Sequence, residues 1–420
     1  MKVAIVGNDL RSLALAHRVL KDGGTPVMIP GPQTFTARFP ICTRPIASEP
    51  GLLPWQQMRL TAPIVEAVIA DPPDMLVCLH IESSDAGLCD ALRATARSRG
   101  GWPVFGVDQM CSQLETSKAF GLRFASEAGL TIPETRIIEA NMRGEWEKEL
   151  ISASFNPMVL KADGLAGGRG TQMVFDPTEL PAALAAIGQG RVVYQEVVQG
   201  TEVALSLLCN SGEIELLDIN FEYKRAKEGD AGPNTPGMGS ISHMPYRTFD
   251  ATKLLPGLAD GLDSLGYRGP LDVSFMIRPD GTPVFLEFTA RFGDPELCVQ
   301  AAMLPGLTRV LWNIARHQTG ELGMAAQPWA GCIVARGTPW PVAIAEMKAH
   351  IVHRADWNGS TEACYVAGAA YPAFCRRALR DIAESLPGDV AHRRDIGHDV
   401  DRRWQSALRW FDTAFKRSGS

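Results

Sequence analysis

The first hundred residues alternate between short apolar runs and stretches in which apolar residues recur every three or four positions. Short apolar runs predict buried strands, and the longer spacing predicts helices with one buried face. The predicted strands are Lys2–Val6, 26–29 and 75–80, and the predicted helices are 10–20 and 86–99. Strands that alternate with helices predict a doubly wound parallel α/β domain over residues 1–105, whose ligands bind at the carboxyl ends of the strands.

The pattern changes in the middle of the chain, where strand candidates come in pairs joined by glycine turns. The pairs are 157–161 with 172–175, 192–196 with 203–209, and 272–277 with 284–288. Hairpins with intervening helices predict α+β lobes rather than a continuation of the first sheet. The last part is again mixed α/β and ends in a predicted helix at 402–415. We therefore expect an N-terminal domain at 1–105, a central domain at 106–325 with a small lobe at about 120–195, and a C-terminal domain at 326–420.

Composition excludes several classes of protein. The 420 residues include 41 basic and 47 acidic side chains, and the resulting net charge of −6 argues against nucleic-acid binding. With 45% apolar and 21% charged residues, and no apolar run of membrane-spanning length, the chain is predicted to be globular. The apolar run at its start is too short for a signal peptide, and its nine cysteines include no C-x-x-C pair. We expect a cytoplasmic protein with reduced thiols.

A glycine-rich loop follows the predicted strand that ends at Lys161. Four glycines and one arginine fall within residues 164–170, namely Gly164, Gly167, Gly168, Arg169 and Gly170. The loop matches neither G-x-x-x-x-G-K-[ST] nor G-x-G-x-x-G, so both standard phosphate loops are excluded. Small residues let backbone N–H groups approach phosphate oxygens closely, and Lys161 and Arg169 supply positive charge. A polyphosphate site and a flexible hairpin turn are both compatible with this segment.

Two further segments carry clustered polar chemistry. Residues 224–239 form a long polar loop that begins Lys224-Arg225, and such loops are lids, binding loops or solvated segments. Glu287, Thr289 and Arg291 lie on one face of a predicted strand, because side chains along a strand alternate between its two faces. A carboxylate and a hydroxyl suit Mg²⁺ and a guanidinium suits phosphate, although an exposed charged strand face has the same pattern.

Taken together and in order, several segments resemble the glycinamide ribonucleotide synthetase (phosphoribosylamine–glycine ligase) family, ATP-grasp enzymes of purine synthesis. The matching segments are 2–8, 114–120, 161–170, 232–235, 237–239, 287–296 and 394–397. These motifs occur in the same order over nearly the whole chain, so the resemblance predicts a central pair of ATP-grasp lobes. It implies a ligase that uses ATP with Mg²⁺ or Mn²⁺ and acts on small molecules as a monomer or a dimer.

The resemblance also implies a role for each site residue. The expected ATP-binding residues are Lys118, Lys161, Gly164, Gly167, Gly168, Arg169, Gly170, Glu196, Val197 and Glu202. Within this set, Glu196 and Val197 are expected to hold adenine and Glu202 the ribose. The expected metal ligands are Glu287 and Thr289, and the expected catalytic residues are Arg291, Asp294, Lys224 and Arg225.

The implied reaction has two steps. The carboxylate of glycine, or of a similar amino acid, attacks the γ-phosphorus of ATP to give an acyl phosphate, and an amine then displaces phosphate to form an amide. The first step brings an anion up to a polyanion. Catalysis therefore requires in-line positioning and neutralisation of charge by Mg²⁺, lysine and arginine.

The chain departs from the family pattern at the first loop and at the metal site. The family's G-N-G-G-R-E-H is here Gly7-Asn8-Asp9-Leu10-Arg11-Ser12-Leu13, and Asp9 would repel the phosphate of phosphoribosylamine. Thr289 replaces an asparagine of the family. Asp272 on the facing predicted strand is a candidate substitute, although a salt bridge or exposure to solvent is the favoured interpretation of this residue. We therefore hypothesise a ligase whose acceptor is phosphoribosylamine or a substitute amine. The alternative is a non-catalytic nucleotide-binding relative, for which Thr289 is the main evidence.

Overall fold

The computed structural model describes most of the chain. The described residues are 1–7, 9–29, 42–43, 58–99, 101–152, 154–165, 170–244, 251–320, 322–337, 351–357, 360–386 and 391–417. Among the helices in these ranges, none combines the length and the apolar character that a bilayer crossing requires.

The N-terminal region is a parallel sheet with connecting helices, as the alternating pattern predicted. Its strands are β1 (Lys2–Val6), β2 (Thr25–Ile29), β3 (Cys42–Thr43), β4 (Met75–Cys78) and β5 (Val104–Phe105). Its helices are α1 (Leu10–Lys21), α2 (Thr61–Ala70), α3 (Ile81–Asp85) and α4 (Leu88–Arg99). The strand order is β3-β2-β1-β4-β5, and all four pairings are parallel. Because the order reverses between β1 and β4, the ligand crevice of this sheet lies at the carboxyl ends of these two strands.

A small antiparallel sheet with its own core follows. Its strands are β6 (Thr135–Ile138), β7 (Met158–Ala162), β8 (Thr171–Val174) and β9 (Val192–Glu196), in the order β6-β9-β7-β8. Helices α5 (Gln109–Thr116) and α6 (Lys118–Glu127) lead into this sheet, and α7 (Arg143–Ser152) and α8 (Leu180–Ala186) belong to it. The separate core includes Trp146, Leu160 and Leu184. The predicted pairing of 157–161 with 172–175 is confirmed as β7 with β8.

The central sheet has eight strands within the described ranges. They are β10 (Thr201–Asn210), β11 (Glu213–Glu222), β14 (Gly239–His243), β15 (Arg268–Ile277), β16 (Pro283–Thr289), β17 (Trp329–Gly337), β18 (Ile351–Trp357) and β19 (Ser360–Ala369). The order is β16-β15-β10-β11-β14-β17-β19-β18, and β12 (Arg225–Lys227) and β13 (Ala231–Asn234) form a separate hairpin. Helices α9 (Ala251–Leu254), α10 (Leu258–Leu265), α11 (Glu296–Met303), α12 (Leu307–Ala315), α13 (Pro372–Ser385) and α14 (Val400–Arg417) complete the chain.

One predicted strand pairing is wrong, and another is confirmed. The pairing of 192–196 with 203–209 does not form, because β9 pairs with β6 and β7 while β10 pairs along its length with β11 and β15. Both edges of β10 are therefore occupied, and the chain crosses from one sheet to the other between β9 and β10. The pairing of 272–277 with 284–288 is confirmed as β15 with β16.

The C-terminal strands extend the central sheet rather than building their own. Strand β17 pairs with β14 and with β19, so strands from residues 239–243 and 329–369 share one hydrogen-bonded sheet. The division into units at 1–105, 106–325 and 326–420 stays a prediction. The mixed α/β architecture itself is confirmed.

A shared core joins the N-terminal sheet to the central region. Helix α1 contacts α11, and the core between them includes Leu13, Val19, Leu297 and Val299. This packing brings the carboxyl end of β1 up to the segment that follows β16. Two regions that are distant in sequence thus border one crevice.

Candidate active site

Lys118 is held at the start of helix α6 by a cap. The hydroxyl of Ser117 accepts a hydrogen bond from the Phe120 backbone N–H at 3.2 Å, which satisfies one of the free donors of the first turn. The Lys118 ammonium donates to the Gly164 carbonyl at 2.9 Å. The structure therefore brings together two residues that the sequence assigned to ATP.

Asp163 fixes this helix end to the loop after β7, and the sequence analysis missed it. Its carboxylate accepts from the Ala119 backbone N–H at 3.2 Å and from the Ser117 hydroxyl at 3.3 Å, and it pairs with Arg191 at 3.0 Å. A carboxylate at a helix N-terminus also interacts favourably with the helix dipole. The one sequence signal was the position of Asp163 between Lys161 and the glycine-rich loop.

Lys161 projects from β7 towards the central sheet. Its side chain is only 7% exposed, and its ammonium donates to the Leu286 carbonyl of β16 at 3.1 Å. Burial lowers the pKa of Lys161, Glu287 opposes the shift, and Lys118 adds to it. This lysine therefore links the small sheet to the strand that carries the predicted metal ligands.

The glycine-rich loop is described only in part. Gly170 is buried, and its carbonyl accepts from the Ala162 backbone N–H at 2.7 Å, which closes the turn between β7 and β8. Gly167, Gly168 and Arg169 lie outside the described residues. Their assignment to ATP stays a prediction.

Lys224 lies at the centre of three carboxylates. Its ammonium is 2.7 Å from Glu202 Oε1, 3.1 Å from Glu222 Oε2 and 3.8 Å from Glu287 Oε1. Burial would lower the pKa of Lys224, but the three negative charges outweigh it and hold the pKa well above the usual value. The lysine therefore stays charged. Glu202, expected at the ribose, contacts this ammonium in the structure, and its role towards ATP stays a prediction.

Glu222 was missed by the sequence analysis. It ends β11 two residues before Lys224. Side chains two positions apart in an extended segment point to the same side, and this spacing was the one sequence signal that placed Glu222 beside Lys224. Burial raises the pKa of Glu222, and Lys224 opposes that shift.

Glu287 and Thr289 occupy one face of β16, as the spacing predicted. Burial would raise the pKa of Glu287, but Lys224, Lys161 and Lys118 outweigh it, so the pKa lies below the usual value and the carboxylate is ionised. Thr289 pairs with Asp272 across the β15–β16 ladder. Asp272 is buried, and burial raises its pKa well above the usual value, which disfavours the charged form that a cation binds.

The donor set fits a magnesium ion held mainly by a nucleotide. Within the described ranges, no group of three or more His, Cys, Asp or Glu side chains is arranged to hold a metal ion. Mg²⁺ in phosphoryl-transfer sites is bound by one or two carboxylates together with substrate phosphates, and Glu287 with Thr289 offers such hard oxygen ligands.

Arg291 is held by Glu115, a residue that the sequence analysis did not assign to the site. Arg291 Nε lies 3.2 Å from Glu115 Oε1, and the other carboxylate oxygen accepts from the Ala290 backbone N–H at 2.8 Å. Burial raises the pKa of Glu115, and Arg291 opposes the shift. Asp294, three residues further on, interacts electrostatically with Arg11 of helix α1.

The remaining predicted residues lie at the borders of this cluster. Glu196 ends β9, where its carboxylate accepts from the Glu134 backbone N–H at 3.3 Å and pairs with Arg278 at 3.4 Å. Val197 follows it at the crossing between the two sheets. Arg225 donates to the Gly232 carbonyl at 2.9 Å within the β12–β13 hairpin, so its described contact holds the hairpin rather than the cluster.

The polar segment 224–239 is an ordered hairpin tied to the C-terminal part of the chain. Arg393 is fully buried and lies 2.7 Å from Asp230 Oδ1, and it also donates to the Arg225 carbonyl at 3.2 Å. The Gly229 backbone N–H donates to Asp395 Oδ2 at 2.8 Å. The segment therefore borders the site with a defined conformation.

A family model and curated relatives agree on what this chain is similar to. The model of the phosphoribosylglycinamide synthetase ATP-grasp (A) domain matches residues 116–297. The phosphoribosylamine–glycine ligase of Phenylobacterium zucineum is 33% identical over 367 residues, which are 81% of this chain and 80% of the relative. That of Caulobacter vibrioides is 33% identical over 368 residues, covering 81% and 79%.

Solved structures show the same fold. The phosphoribosylamine–glycine ligase of Thermotoga maritima superimposes with a TM-score of 0.69 at 23% identity, covering 94% of this chain and all of that one. A biotin carboxylase of Campylobacter jejuni in complex with β-γ-ATP gives a TM-score of 0.65 at 12% identity and covers 92% of this chain and 91% of its own.

Proposed function

The chain belongs to the phosphoribosylamine–glycine ligase family of ATP-grasp enzymes, and we propose that it activates the carboxylate of glycine, or of a similar amino acid, for attack by an amine. It is an ATP-dependent ligase that forms C–N bonds and uses ATP with Mg²⁺ or Mn²⁺. This relationship favours a ligase over the non-catalytic nucleotide-binding relative.

The observation that carries the proposal is the group of cations around Glu287. The ionised carboxylate interacts with Lys118, Lys161, Lys224 and Arg291, which come from the start of α6, from β7 and from the segments that follow β11 and β16. A carboxylate among four cations is an arrangement for a metal-bound polyphosphate, because the phosphates need positive charge and the metal needs an anionic ligand. The cleft between the two sheets is therefore the proposed ATP site.

Each residue has a proposed task in binding. Lys118 and Lys161 neutralise the phosphates, the residues around Gly164 and Gly170 cover them, and Glu287 with Thr289 holds the metal. Magnesium, when bound, draws electron density from the γ-phosphoryl group. Glu196, Val197 and Glu202 are proposed to bind the nucleoside, and for that Glu202 must exchange its contact with Lys224 for one with the ribose.

Arg291 and Lys224 are proposed to hold the reacting anions. In the first step, a carboxylate oxygen of the amino acid forms a bond to the γ-phosphorus, the bond to the β–γ bridging oxygen breaks, and ADP leaves. In the second step, the amine nitrogen forms a bond to the carbonyl carbon, phosphate leaves, and the amine loses a proton. Arg291, oriented by Glu115, pairs with the carboxylate or the transferred phosphoryl group, since a guanidinium matches both. Asp294 and Arg225 are proposed to complete this site from its border.

The location and partners follow from the same proposal. The partners are small molecules, namely an amino acid and an amine, and a monomer or dimer stays a prediction. Eight of the nine cysteines, all except Cys42, are free and buried in the structure, which supports a reducing, cytoplasmic location.

The test uses hydroxylamine as a general acceptor, because it traps an acyl phosphate whatever the natural amine is. The enzyme is incubated with Mg²⁺, ATP and glycine labelled with oxygen-18 in its carboxylate. We expect ADP to form only when the amino acid is present, and the label to appear in the released phosphate. Hydroxamate without label in phosphate would refute the acyl phosphate. ADP that forms equally without any amino acid would refute the ligase.

A matched pair of variants ties the activity to the proposed site. Glu287→Gln removes the metal-binding charge. We expect the rate of hydroxamate formation to fall by about a hundredfold, because removing one preorganised group that stabilises the charge of a transition state has an effect of this size. Glu127→Gln removes an exposed carboxylate at the end of α6 and should leave the rate unchanged.

A further inference from the structure

The N-terminus of helix α1 is filled by a side chain of the chain itself. Asp9 is the N-cap, and its Oδ1 accepts from the Ser12 backbone N–H at 3.0 Å and from the Ser12 hydroxyl at 3.0 Å. A helix that follows the first strand of a doubly wound sheet offers its N-terminal N–H groups to anionic ligands such as phosphate. Here a carboxylate already takes the position of the anion.

Arg11, the nearest cation, is paired with Asp9. Arg11 is buried, and its Nε and Nη2 lie 2.7 Å and 2.6 Å from Asp9 Oδ2. Its Nη1 donates to the Phe292 carbonyl at 3.2 Å. Burial would raise the pKa of Asp9, but the charge of Arg11 and the hydrogen bonds from Arg11 and the Ser12 backbone outweigh it and hold the pKa well below the usual value, so both partners are charged. Arg11 therefore has no net positive charge to offer a ligand phosphate.

His80, just after the end of β4, packs against the N-terminus of α1 without adding charge. His80 is 5% exposed, and its Nε2 has no hydrogen-bond partner and lies 3.5 Å from Asp9 Oδ2. Burial lowers the pKa of His80, so the ring is neutral at pH 7. A Cβ atom built on Gly7 would collide with the Ser12 hydroxyl and lie 3.2 Å from the His80 ring, so the loop is closely packed.

This filled position borders the proposed ligase site. The carbonyl that Arg11 contacts belongs to Phe292, which stands between Arg291 and Asp294 in the sequence. Arg11 also interacts electrostatically with Asp294 and Glu82, and Glu82 interacts with Glu115. This crevice is therefore the proposed approach of the amine to a carboxylate held by Arg291, since it lies where the ends of β1 and β4 meet the segment after β16.

The charges in the crevice are unfavourable for a phosphate. Among the described residues, the carboxylates of Asp9, Glu82, Glu115 and Asp294 interact electrostatically with the guanidinium groups of Arg11 and Arg291. The summed charge of these six groups stays negative even when Glu115 is protonated. A phosphate in this crevice would meet an excess of negative charge, and within the described residues both nearby guanidinium groups are already paired with carboxylates.

We propose that the acceptor is an amine without a phosphate group, and that Asp9 is the residue that rejects phosphorylated amines. The proposal rests on the proposed ligase function, which supplies the acyl phosphate that this amine attacks. Asp9 acts by two contacts: its carboxylate occupies the N-terminus of α1, and it neutralises Arg11. Neither contact touches the ATP site.

The test compares two amines that differ only in the phosphate. Ribosylamine and 5-phosphoribosylamine are formed in solution from ammonia with ribose or ribose 5-phosphate, and amide formation with glycine and MgATP is measured on the full chain. The wild type is expected not to prefer the phosphorylated amine. Asp9→Asn keeps the cap, since asparagine is an equally good N-cap, and removes the charge. It should shift the ratio of kcat/KM towards the phosphorylated amine by about tenfold or more.

A binding measurement makes the outcome independent of catalysis. Calorimetric titration with ribose 5-phosphate and with ribose should show no preference for the phosphate in the wild type, and a preference of about tenfold or more in Asp9→Asn. Asp74→Asn, on the opposite end of the sheet beside Lys2, is the matched control and should behave as the wild type.

Three outcomes separate the two proposals. Tight binding of ribose 5-phosphate by the wild type, or preferential use of 5-phosphoribosylamine, would overturn the role of Asp9. An Asp9→Asn variant indistinguishable from Asp74→Asn would do the same. Failure of the hydroxylamine assay instead refutes the ligase function, while the calorimetric comparison still decides whether the crevice rejects phosphate.

Discussion

Replacing Lys224 by methionine leaves three carboxylates without the cation that holds them together. The ammonium lies 2.7 Å from Glu202, 3.1 Å from Glu222 and 3.8 Å from Glu287. Methionine keeps most of the length and the apolar stem of the side chain. The substitution therefore removes the charge with little loss of packing.

The expected magnitude follows from these distances and from exposure. An ion pair near 4 Å is worth about 4 kcal/mol at an effective dielectric constant of about 20, but the loss of hydration on burial cancels most of this. Removing one partner of a buried pair costs about 3–5 kcal/mol, because the remaining charges are left unpaired. Since 29% of the Lys224 side chain is exposed, water compensates in part. We expect the free energy of unfolding to fall by about 2–3 kcal/mol.

The assay is urea unfolding followed by tryptophan fluorescence, with and without Mg²⁺. A divalent cation bound to Glu287 replaces part of the missing charge, so Mg²⁺ should stabilise Lys224→Met more than it stabilises the wild type. Lys227→Met is the control, because this exposed lysine lies three residues further along the same segment. Its effect should stay within about 0.5 kcal/mol.

Two results would contradict the proposed role of Lys224. A Lys224→Met protein as stable as Lys227→Met would mean that the carboxylates need no cation. An identical response of both variants to Mg²⁺ would mean that the metal does not bind among these carboxylates.

Three further predictions concern pH and positioning. Burial lowers the pKa of His243 to about 4. Between pH 6.5 and 4 the unfolded chain therefore binds a proton that the native state does not, and the free energy of unfolding falls as the pH is lowered. In an acid unfolding series over that range, this fall should be smaller in His243→Phe than in the wild type by up to about 3 kcal/mol. Glu115→Gln loosens Arg291, and we expect the KM for the amino acid to rise about tenfold while the KM for ATP is unchanged in steady-state kinetics. Asp163→Asn frees the start of α6, so the KM for ATP should rise about fivefold, whereas Asp176→Asn, at an exposed cap just after β8 of the same small sheet, should leave it unchanged.

The sequence was most informative where a motif and a strand coincide. Lys161, Glu287 and Thr289 were predicted on strands, and the structure places them on β7 and on one face of β16. Period-two alternation is a local property, so a few neighbouring residues suffice to determine it. The wrong pairing of β9 with β10 has the opposite cause, because pairing depends on which remote edges are free. Both edges of β10 are occupied by β11 and β15.

The residues that sequence reasoning missed have their partners far along the chain. Glu115 and Arg291 are separated by 176 positions, and Asp163 reaches Ser117 across 46. No local pattern distinguishes such a carboxylate from a solvated one. The partner becomes visible only when the sheets pack.

The sequence by itself determined the family, the ATP-dependent ligase chemistry and the alternation of strands and helices, because motif spacing and hydrophobic periodicity depend on residues that are close in the chain. It also placed Asp9 in the first loop. Only the tertiary structure decided that the Asp9 carboxylate fills the N-terminus of α1, that Arg11 is neutralised there, and that Lys224 joins three acids. The energy of a charge depends on burial and on the charges within a few ångströms, and both are set by contacts between distant segments.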